Sequence, residues 1–402
     1  MRVETLVGST SLASLWIRST AILVLSMTML PVGARPVTGR ADSNEILAAF
    51  FATGGRNRVC IGDGVGGFTC SDISSDYNDT SELAVGLIND DGYLDVVCAN
   101  DGSQDRVCLG DSTGGYSCSD VSDDLYRSRS VALGLVNGDG YLDAVLSARY
   151  DPNRICLGDG TGSFTCSDIS TDSYRATDVA LDYVDGDGHL DAVFAADQTT
   201  DRVCLGDGAG GFTCSNVSDD INRTQGVGLG RIDGDAFLDA VFANSASGRN
   251  SVCLGDGFGA FTCGDVSSDA NTTEAVDLGL INGDGFLDAA FGTIFQQVNR
   301  LCFGNGLGGF TCADLGTDHN DVYDIALGFV NDDGNLDALL ATGDTFTNRV
   351  CLGDGGGGFS CSNVSADTAG ASGVALGILF PARIFTDGFE SGDTSAWSNP
   401  VP

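Results

Sequence analysis

The sequence predicts an all-β chain, a seven-bladed β-propeller of four-stranded blades closed by N-terminal strands B–D pairing with a C-terminal strand A. Three observations carry this expectation. Fourteen of the 15 cysteines form seven pairs ten positions apart, at a period of 48 residues for three steps and 49 for the next three. Each pair brackets a Gly-rich loop. The chain also enters one repeat after its first strand and ends on the strand that this repeat lacks.

The pairs are Cys60/Cys70, Cys108/Cys118, Cys156/Cys166, Cys204/Cys214, Cys253/Cys263, Cys302/Cys312 and Cys351/Cys361. Around each, text such as Arg202-Val203-Cys204-Leu205-Gly206 and Phe212-Thr213-Cys214-Ser215 flanks a five-residue loop, the pattern of a β-hairpin. If Gly206 faces Phe212, then Cys204 faces Cys214, close enough for a cross-strand disulfide. In an exported chain these read as seven disulfides, each closing a small ring worth roughly 2–3 kcal/mol. Seven reduced, packed thiol pairs are the alternative; a metal site is disfavoured because no pair has a second pair or a His beside it.

Two further strands complete the unit. An alternating segment such as Ser130-Val131-Ala132-Leu133-Gly134-Leu135 (strand A) leads into an acidic loop, and a second apolar segment, 141–147, follows as strand B. Strands C and D are the hairpin. The distance from the second Cys to the strand-A Gly (Asp182 in one copy) is always 16, and from there to the next Cys 22 or 23, so length varies only between B and C. Four short strands at this period indicate a propeller blade. Residues 45–53 match strand B with no strand A before them, and residues 372–378 are a strand A with nothing after it. Pairing these ends completes a seventh blade and removes open edges, whereas a linear solenoid would need polar caps.

The flanks read differently. Arg2 and Arg18 precede an apolar run, 21–30, followed by Pro31-Val32-Gly33-Ala34, so residues 1–34 are expected to be a signal peptide and 35–43 a short linker. The propeller is expected over 44–380, and 381–402 is a tail containing Phe385-Thr386-Asp387-Gly388-Phe389-Glu390-Ser391-Gly392 that resembles a short C-terminal sorting cassette of exported bacterial proteins. The mature chain is expected to be secreted or at the cell surface, without a membrane span. Net charge is −37 and all 19 basic residues are Arg, which excludes nucleic acid and anionic membrane as partners and suits divalent cations.

The acidic loop is Asn137-Gly138-Asp139-Gly140-Tyr141-Leu142-Asp143, with copies at 89–95, 185–191, 233–239, 282–288 and 331–337. Carboxylates and amides at alternate positions around a Gly turn suggest an oxygen cage for a hard cation. The alternative is a set of Asx turns in which Asp and Asn bond their own backbone.

The order strand, Asn/Asp-Gly-Asp-Gly-x-x-Asp, strand, then Arg-Val-Cys-Leu-Gly-Asp-Gly-x-Gly-Gly-Phe, resembles the FG-GAP/VCBS repeat found in integrin α-subunit propellers and bacterial surface proteins. The resemblance covers roughly 44–380. It implies calcium in the A–B loops and partners on the opposite face, built by the B–C and D–A loops. Ligand positions 3, 5, 7 (backbone carbonyl) and 9 then fall on Asn89, Asp91, Tyr93 and Asp95; on Asn137, Asp139, Tyr141 and Asp143; on Asp185, Asp187, His189 and Asp191; on Asn282, Asp284, Phe286 and Asp288; and on Asn331, Asp333, Asn335 and Asp337. Position 1, Asp in the family, is Leu87, Leu135, Tyr183, Arg231, Leu280 or Phe329 here, so calcium is expected to bind weakly, at partial occupancy. Asp185/Asp187/Asp191 is the richest copy, with Asp182 nearby. The copy with Asp233, Asp235 and Asp239 is doubtful: Ala236 replaces a turn Gly, and Arg231 is expected to pair with the carboxylates in place of a cation.

No catalytic motif is present. His189 and His319 are the only histidines, and no G-x-S-x-G, Walker A or H-E-x-x-H occurs. Cys98 stands at an apolar strand-B position, which suits a buried inert thiol. The ligand face is expected to use Tyr126, Arg127, Arg129, Tyr174, Arg175, Arg223 and Tyr323 from D–A loops, with Arg149, Tyr150, Phe295 and Phe346 from B–C loops. The sequence therefore reads as an exported, monomeric, non-enzymatic recognition or adhesion module for an extracellular protein or glycan. A carbohydrate-binding lectin propeller is the alternative, and a polysaccharide hydrolase or lyase a more distant one.

Overall fold

A computed structural model describes residues 46–379 except 247, 318, 344–345 and 367–369. The expected signal peptide (1–34), linker (35–43) and tail (381–402) lie outside the described residues. Every regular element among the described residues is a strand.

Four strands hydrogen-bonded in the order A-B-C-D recur along the chain. One sheet comprises Thr80–Gly86, Asp95–Asn100, Arg106–Gly110 and Tyr116–Asp120; another Thr273–Gly279, Asp288–Thr293, Arg300–Gly304 and Phe310–Asp314; a third Val322–Gly328, Asp337–Thr342, Arg349–Gly353 and Phe359–Asn363. Between the first two the repeats run together. Asp143–Gly158 passes through both B and C, and Phe164–Asp182 through D and the next A. Asp191–Thr199, Arg202–Gly206 and Phe212–Asn216 follow, and the pairs Asp197↔Arg223 and Thr199↔Asn222 join them to the sheet of Asn222–Gly230, Asp239–Asn244, Ser251–Gly255 and Phe261–Asp265. The separate B and C strands expected in every repeat are thus one bent strand at 143–158.

In the remaining sheet Gly373–Leu379, from the C-terminal end, lies beside Ile46–Ala52, with Ile46↔Leu379 and Ala52↔Gly373 as the outer pairs; Arg58–Gly62 and Phe68–Asp72 follow.

Strand B is buried on both faces, which is why it reads as a continuous apolar run such as Ala192-Val193-Phe194-Ala195, while strand D alternates and forms the outer edge. Each apolar cluster draws on two neighbouring sheets. Phe194 and Ala192 pack with Val136, Val145 and Ile155. Phe51, Ala49 and Cys60 pack with Val330, Leu339 and Ala341 from the other end of the sequence. A fully buried side chain such as Phe194 contributes about 1.5–3 kcal/mol, so the sheet-on-sheet faces are the main source of stability.

Each hairpin is in the register that the sequence predicts: Cys204↔Cys214 with Gly206↔Phe212, and likewise throughout. All seven pairs are disulfide-bonded: Cys60–Cys70, Cys108–Cys118, Cys156–Cys166, Cys204–Cys214, Cys253–Cys263, Cys302–Cys312 and Cys351–Cys361. The two halves of each bridge differ in environment. On strand C, Cys60, Cys108, Cys156, Cys204, Cys253, Cys302 and Cys351 are buried in the core. On strand D, Cys70, Cys118, Cys166, Cys214, Cys263, Cys312 and Cys361 are only half-buried, because D is the outer strand and its flanking residues face solvent. The alternative of reduced thiol pairs packed together in the core therefore does not fit the second cysteine of any pair. Each bridge instead pins the exposed outer strand to the buried one beside it.

In six repeats strand A carries a register shift toward its N-terminal end, for example between Thr80 and Glu82 and between Thr224 and Gly226. This bulge frees the intervening side chain from the ladder.

Candidate functional site

The A–B loops are built around their last Asp. Asp191 is fully buried; its Oδ2 accepts the Val184 and Asp185 N–H groups at 2.7 and 3.3 Å, and its Oδ1 accepts Gly206 N–H, at the end of strand C, at 2.8 Å. Asp95, Asp143, Asp239, Asp288 and Asp337 repeat the arrangement, as in Asp143 with Val136, Asn137 and Gly158. This carboxylate ties the loop to the hairpin. Burial raises its pKa in every copy, to about 6 at Asp95, even though three N–H groups favour the charged form.

The middle residues form Asx turns. Asp187 N–H donates to Asp185 Oδ1 and His189 N–H to Asp187 Oδ1. Where position 3 is Asn, its Nδ2 also donates to the position-5 carboxylate, as in Asn89–Asp91 (3.0 Å), Asn137–Asp139 (2.9 Å), Asn282–Asp284 (3.0 Å) and Asn331–Asp333 (3.1 Å). Both oxygens of those aspartates are then engaged. In the Asp185/Asp187 copy the amide is missing, and the loop engages only one oxygen of each carboxylate. Among the described residues no three His, Cys, Asp or Glu side chains are gathered as a preformed cation cage. The side chains of Tyr141, His189, Phe237, Phe286 and Asn335 cover hairpin glycines of their own repeat; a Cβ on Gly208, whose φ is +69, would overlap the His189 ring.

Arg231 departs from expectation. Its Nε donates to the Ala236 carbonyl at 3.1 Å, and it makes no close ion pair with Asp233, Asp235 or Asp239. Its charge instead acts on Asp182 of the preceding repeat. Asp182 is 1% exposed with an unbonded Oδ2, and burial pushes its pKa up to about 7 against the opposing pull of Arg231. Asp182 replaces a Gly found in the other strand-A copies, and Arg231 replaces an apolar residue: the two exceptions face each other.

The B–C and D–A loops build the other end. Asp197 is the centre: Arg175 Nη2 reaches its Oδ2 at 2.7 Å and Arg223 Nε its Oδ1 at 3.1 Å. Beside it is a cleft of about 260 Å³ whose polar wall includes Arg129, Arg149, Arg223, Asp197, Gln225 and Glu274, with Ile294 and Phe295 as its apolar wall. Burial raises the Glu274 pKa, while Ser245, Arg129 and Arg223 oppose it. Of the sequence-predicted ligand residues, Arg129, Arg149, Arg223 and Phe295 line this cleft, and Arg175 braces Asp197. Arg127 lies near Asp101 at 3.8 Å. Tyr126 stacks under Arg154, and Tyr174 turns inward, its hydroxyl accepting Asn153 Nδ2 at 2.7 Å, so both act as supports. Tyr323 is exposed and its ring covers Gly343.

Sequence reasoning missed Asp197, Gln225 and Glu274. A signal exists: the bulged strand-A position reads Ser81, Arg129, Thr177, Gln225, Glu274 and Tyr323, while its neighbours repeat. One to three residues on, Glu82, Asp178, Asp277 and Asp324 line the inner face. The last three accept an N–H from the strand A one repeat ahead, Asp178 from Val227, Asp277 from Leu327 and Asp324 from Val374. Burial raises all four, Asp277 to about 6 and Asp324 to about 8. Cys98 is buried, its pKa pushed up to about 12.

Repeated four-stranded antiparallel sheets packed face to face, with turns that bond their own backbone, define the class of repeat propellers. The FG-GAP-like repeat family matches residues 136–194. Among solved structures the chain is similar to an ancestral GH74 enzyme (TM-score 0.54, 11% identity, 85% of this chain and 48% of that one). It is also similar to a functionally unknown protein from Desulfotomaculum acetoxidans DSM 771 (TM-score 0.56, 13% identity, 82% and 98%) and to the Dos1 propeller (TM-score 0.50, 10% identity, 80% and 87%). The chain thus spans about half the length of the GH74 enzyme. No curated protein matches it in sequence. These likenesses concern the fold. Residues 136–194 thus match an FG-GAP-like repeat, and the solved structures show that the chain has a β-propeller-like fold.

Proposed function

We propose that this chain is an exported recognition module: seven four-stranded blades closed in a ring, with a ligand site at the end built by the B–C and D–A loops. Closure is supported by the pairing of Gly373–Leu379 with Ile46–Ala52 and by the apolar cluster shared between the first and last repeats. Export is supported by seven disulfides, which persist in oxidising compartments, and no helix among the described residues is long and apolar enough to cross a membrane.

The observation that carries the recognition reading is the cleft beside Asp197. It gathers arginine, which is scarce in this chain, with carboxylates, an amide and the exposed ring of Phe295, the residue types that bind ligands through oriented hydrogen bonds and stacking. The same mixture favours a glycan over a flat protein surface. The GH74 enzyme is a hydrolase by its name, and that activity is carried to this chain only as an outcome to be measured. Calcium is proposed as a weak structural ligand of the A–B loops, held best where Asp185 and Asp187 each keep a free oxygen.

The test is a glycan-array screen of the purified protein in millimolar calcium, with a parallel assay for polysaccharide turnover. Saturable binding that is lost on replacing Asp197 supports the reading. Turnover of a polysaccharide, or binding that is indifferent to Asp197, overturns it.

A further inference from the structure

We propose that the cleft beside Asp197 takes one acidic sugar residue, a uronate, as the terminal unit of a glycan. This deepens the recognition reading above and rests on it.

Size comes first. At about 260 Å³ the cleft is below the roughly 300–1,000 Å³ of pockets that enclose a drug-sized ligand, so it holds one ring rather than a chain. Charge comes second. Arg175 and Arg223 are both spent on Asp197, and Arg129 stands 3.7 Å from Asp101, but Arg149 has no carboxylate partner among the described residues. Arg149 lines the cleft, and its guanidinium stacks on the exposed Tyr150 ring at 5.3 Å. In a chain of net charge −37, an arginine without an acidic partner is set to meet an anion, and a guanidinium fork matches a carboxylate.

The rest of the wall decides between anions. Asp197, Glu274, Gln225, Thr177 and Ser245 present acceptors and hydroxyls. A sugar donates its hydroxyls to carboxylates, whereas an acidic peptide brings further anions toward Asp197 and Glu274 and is repelled. The Phe295 ring, 71% exposed, offers an apolar face for the C–H side of a pyranose.

Backbone geometry points to the same place. Tyr150, Gln198, Ala246, Phe295 and Gln296 all have positive φ, between 55° and 75°, at or near the B-to-C connections, and Ala246 and Phe295 line the cleft. Left-handed residues other than Gly cost free energy and cluster where a side chain must be aimed. Two of them aim aromatic rings outward.

Calorimetric titration of the full protein with methyl glucuronide and with its uncharged counterpart, methyl glucoside, tests the proposal. The glucuronide is expected to bind at least about tenfold more tightly. Arg149→Gln should remove that preference by weakening the glucuronide at least about tenfold more than the glucoside, and Phe295→Ala should weaken both sugars alike. Melting curves of both variants, with all seven disulfides intact, establish that they fold. Equal affinity for the two sugars overturns the uronate assignment while leaving the recognition reading in place. Binding of hexaglutamate without glucuronide also overturns it, in favour of an acidic peptide. No binding to any glycan or extracellular protein overturns both readings.

Discussion

Replacing Asp191 by Asn separates the two jobs that one acidic loop combines. The amide keeps the volume of the side chain but offers only one oxygen. Turned toward Gly206, it sets an NH2 against the Val184 and Asp185 N–H groups; turned the other way, it opposes Gly206 N–H. Either way at least one buried N–H loses its acceptor, at about 1–3 kcal/mol. Burial already disfavours the charge on Asp191, so removing that charge returns part of the loss. A net cost of about 2 kcal/mol is expected, read as a fall of about 3 °C in melting temperature for a chain of this size. Asp187→Asn is the control. Its amide oxygen still accepts His189 N–H, so in EGTA its stability should stay within about 0.5 kcal/mol of the parent. If calcium binds with the roughly 0.1–1 mM affinity of extracellular modules, 1 mM calcium adds about 0.4–1.4 kcal/mol to the parent, and Asp187→Asn removes that gain. The Asp191→Asn loss should persist in EGTA. A melting temperature unchanged in Asp191→Asn would refute the latch. Identical parent curves with and without calcium would refute the cation.

Three further outcomes follow from the same structure. Cys98 should resist a thiol reagent in the native protein and react as a single thiol on unfolding without reductant, since burial pushes its pKa up to about 12; rapid native labelling would contradict its packing. Replacing Cys204 and Cys214 together by Ala should cost about 2–3 kcal/mol in denaturant unfolding, the entropy of a ten-residue ring, and no change would mean that the hairpin is held by its ladder alone. Stability should rise as pH falls from 8 to 5. Asp324 (about 8), Asp201 (about 7) and Asp277 (about 6) bind protons more tightly folded than unfolded, so the stabilisation is complete below the ordinary carboxylate range and is lost as pH climbs through those values. Asp111 and Asp159, held down by the Thr113 and Thr161 hydroxyls and then by hairpin N–H groups, and Asp63, Asp207 and Asp354, held down by hairpin N–H groups, act oppositely and only in stronger acid. Asp324→Asn should flatten the profile above pH 6, and a melting temperature that is level from 8 to 5 would overturn the assignment.

The parts of the fold that were legible are those where a single local rule decides the geometry. Two cysteines ten apart, flanking a Gly loop between β-branched residues, fix a hairpin register without reference to the rest of the chain, and Cys204 does face Cys214. Strand B was legible because burial on both faces leaves a continuous apolar run. The merging of B into C at 143–158 was not, because it depends on loop residues pairing across repeats, as Arg149 does with Arg175. Arg231 was misread for a related reason. Within its own loop it looks like a substitute cation, but its counter-charge, Asp182, sits one repeat away, where the sequence shows only a lost Gly.

That misreading shows where individuality is written in a repeat protein. Positions serving the shared architecture must agree from copy to copy: the final loop Asp that bonds three N–H groups and the paired cysteines. A position freed from that architecture can vary, and the strand-A bulge frees one side chain per repeat at the mouth of the B–C loops. Arg129, Thr177, Gln225 and Glu274 come from four consecutive bulges and all line the cleft. The site is therefore built from the one strand-A column that the repeat leaves unspecified, and aligning the repeats against one another, rather than searching for a motif, is what brings it into view.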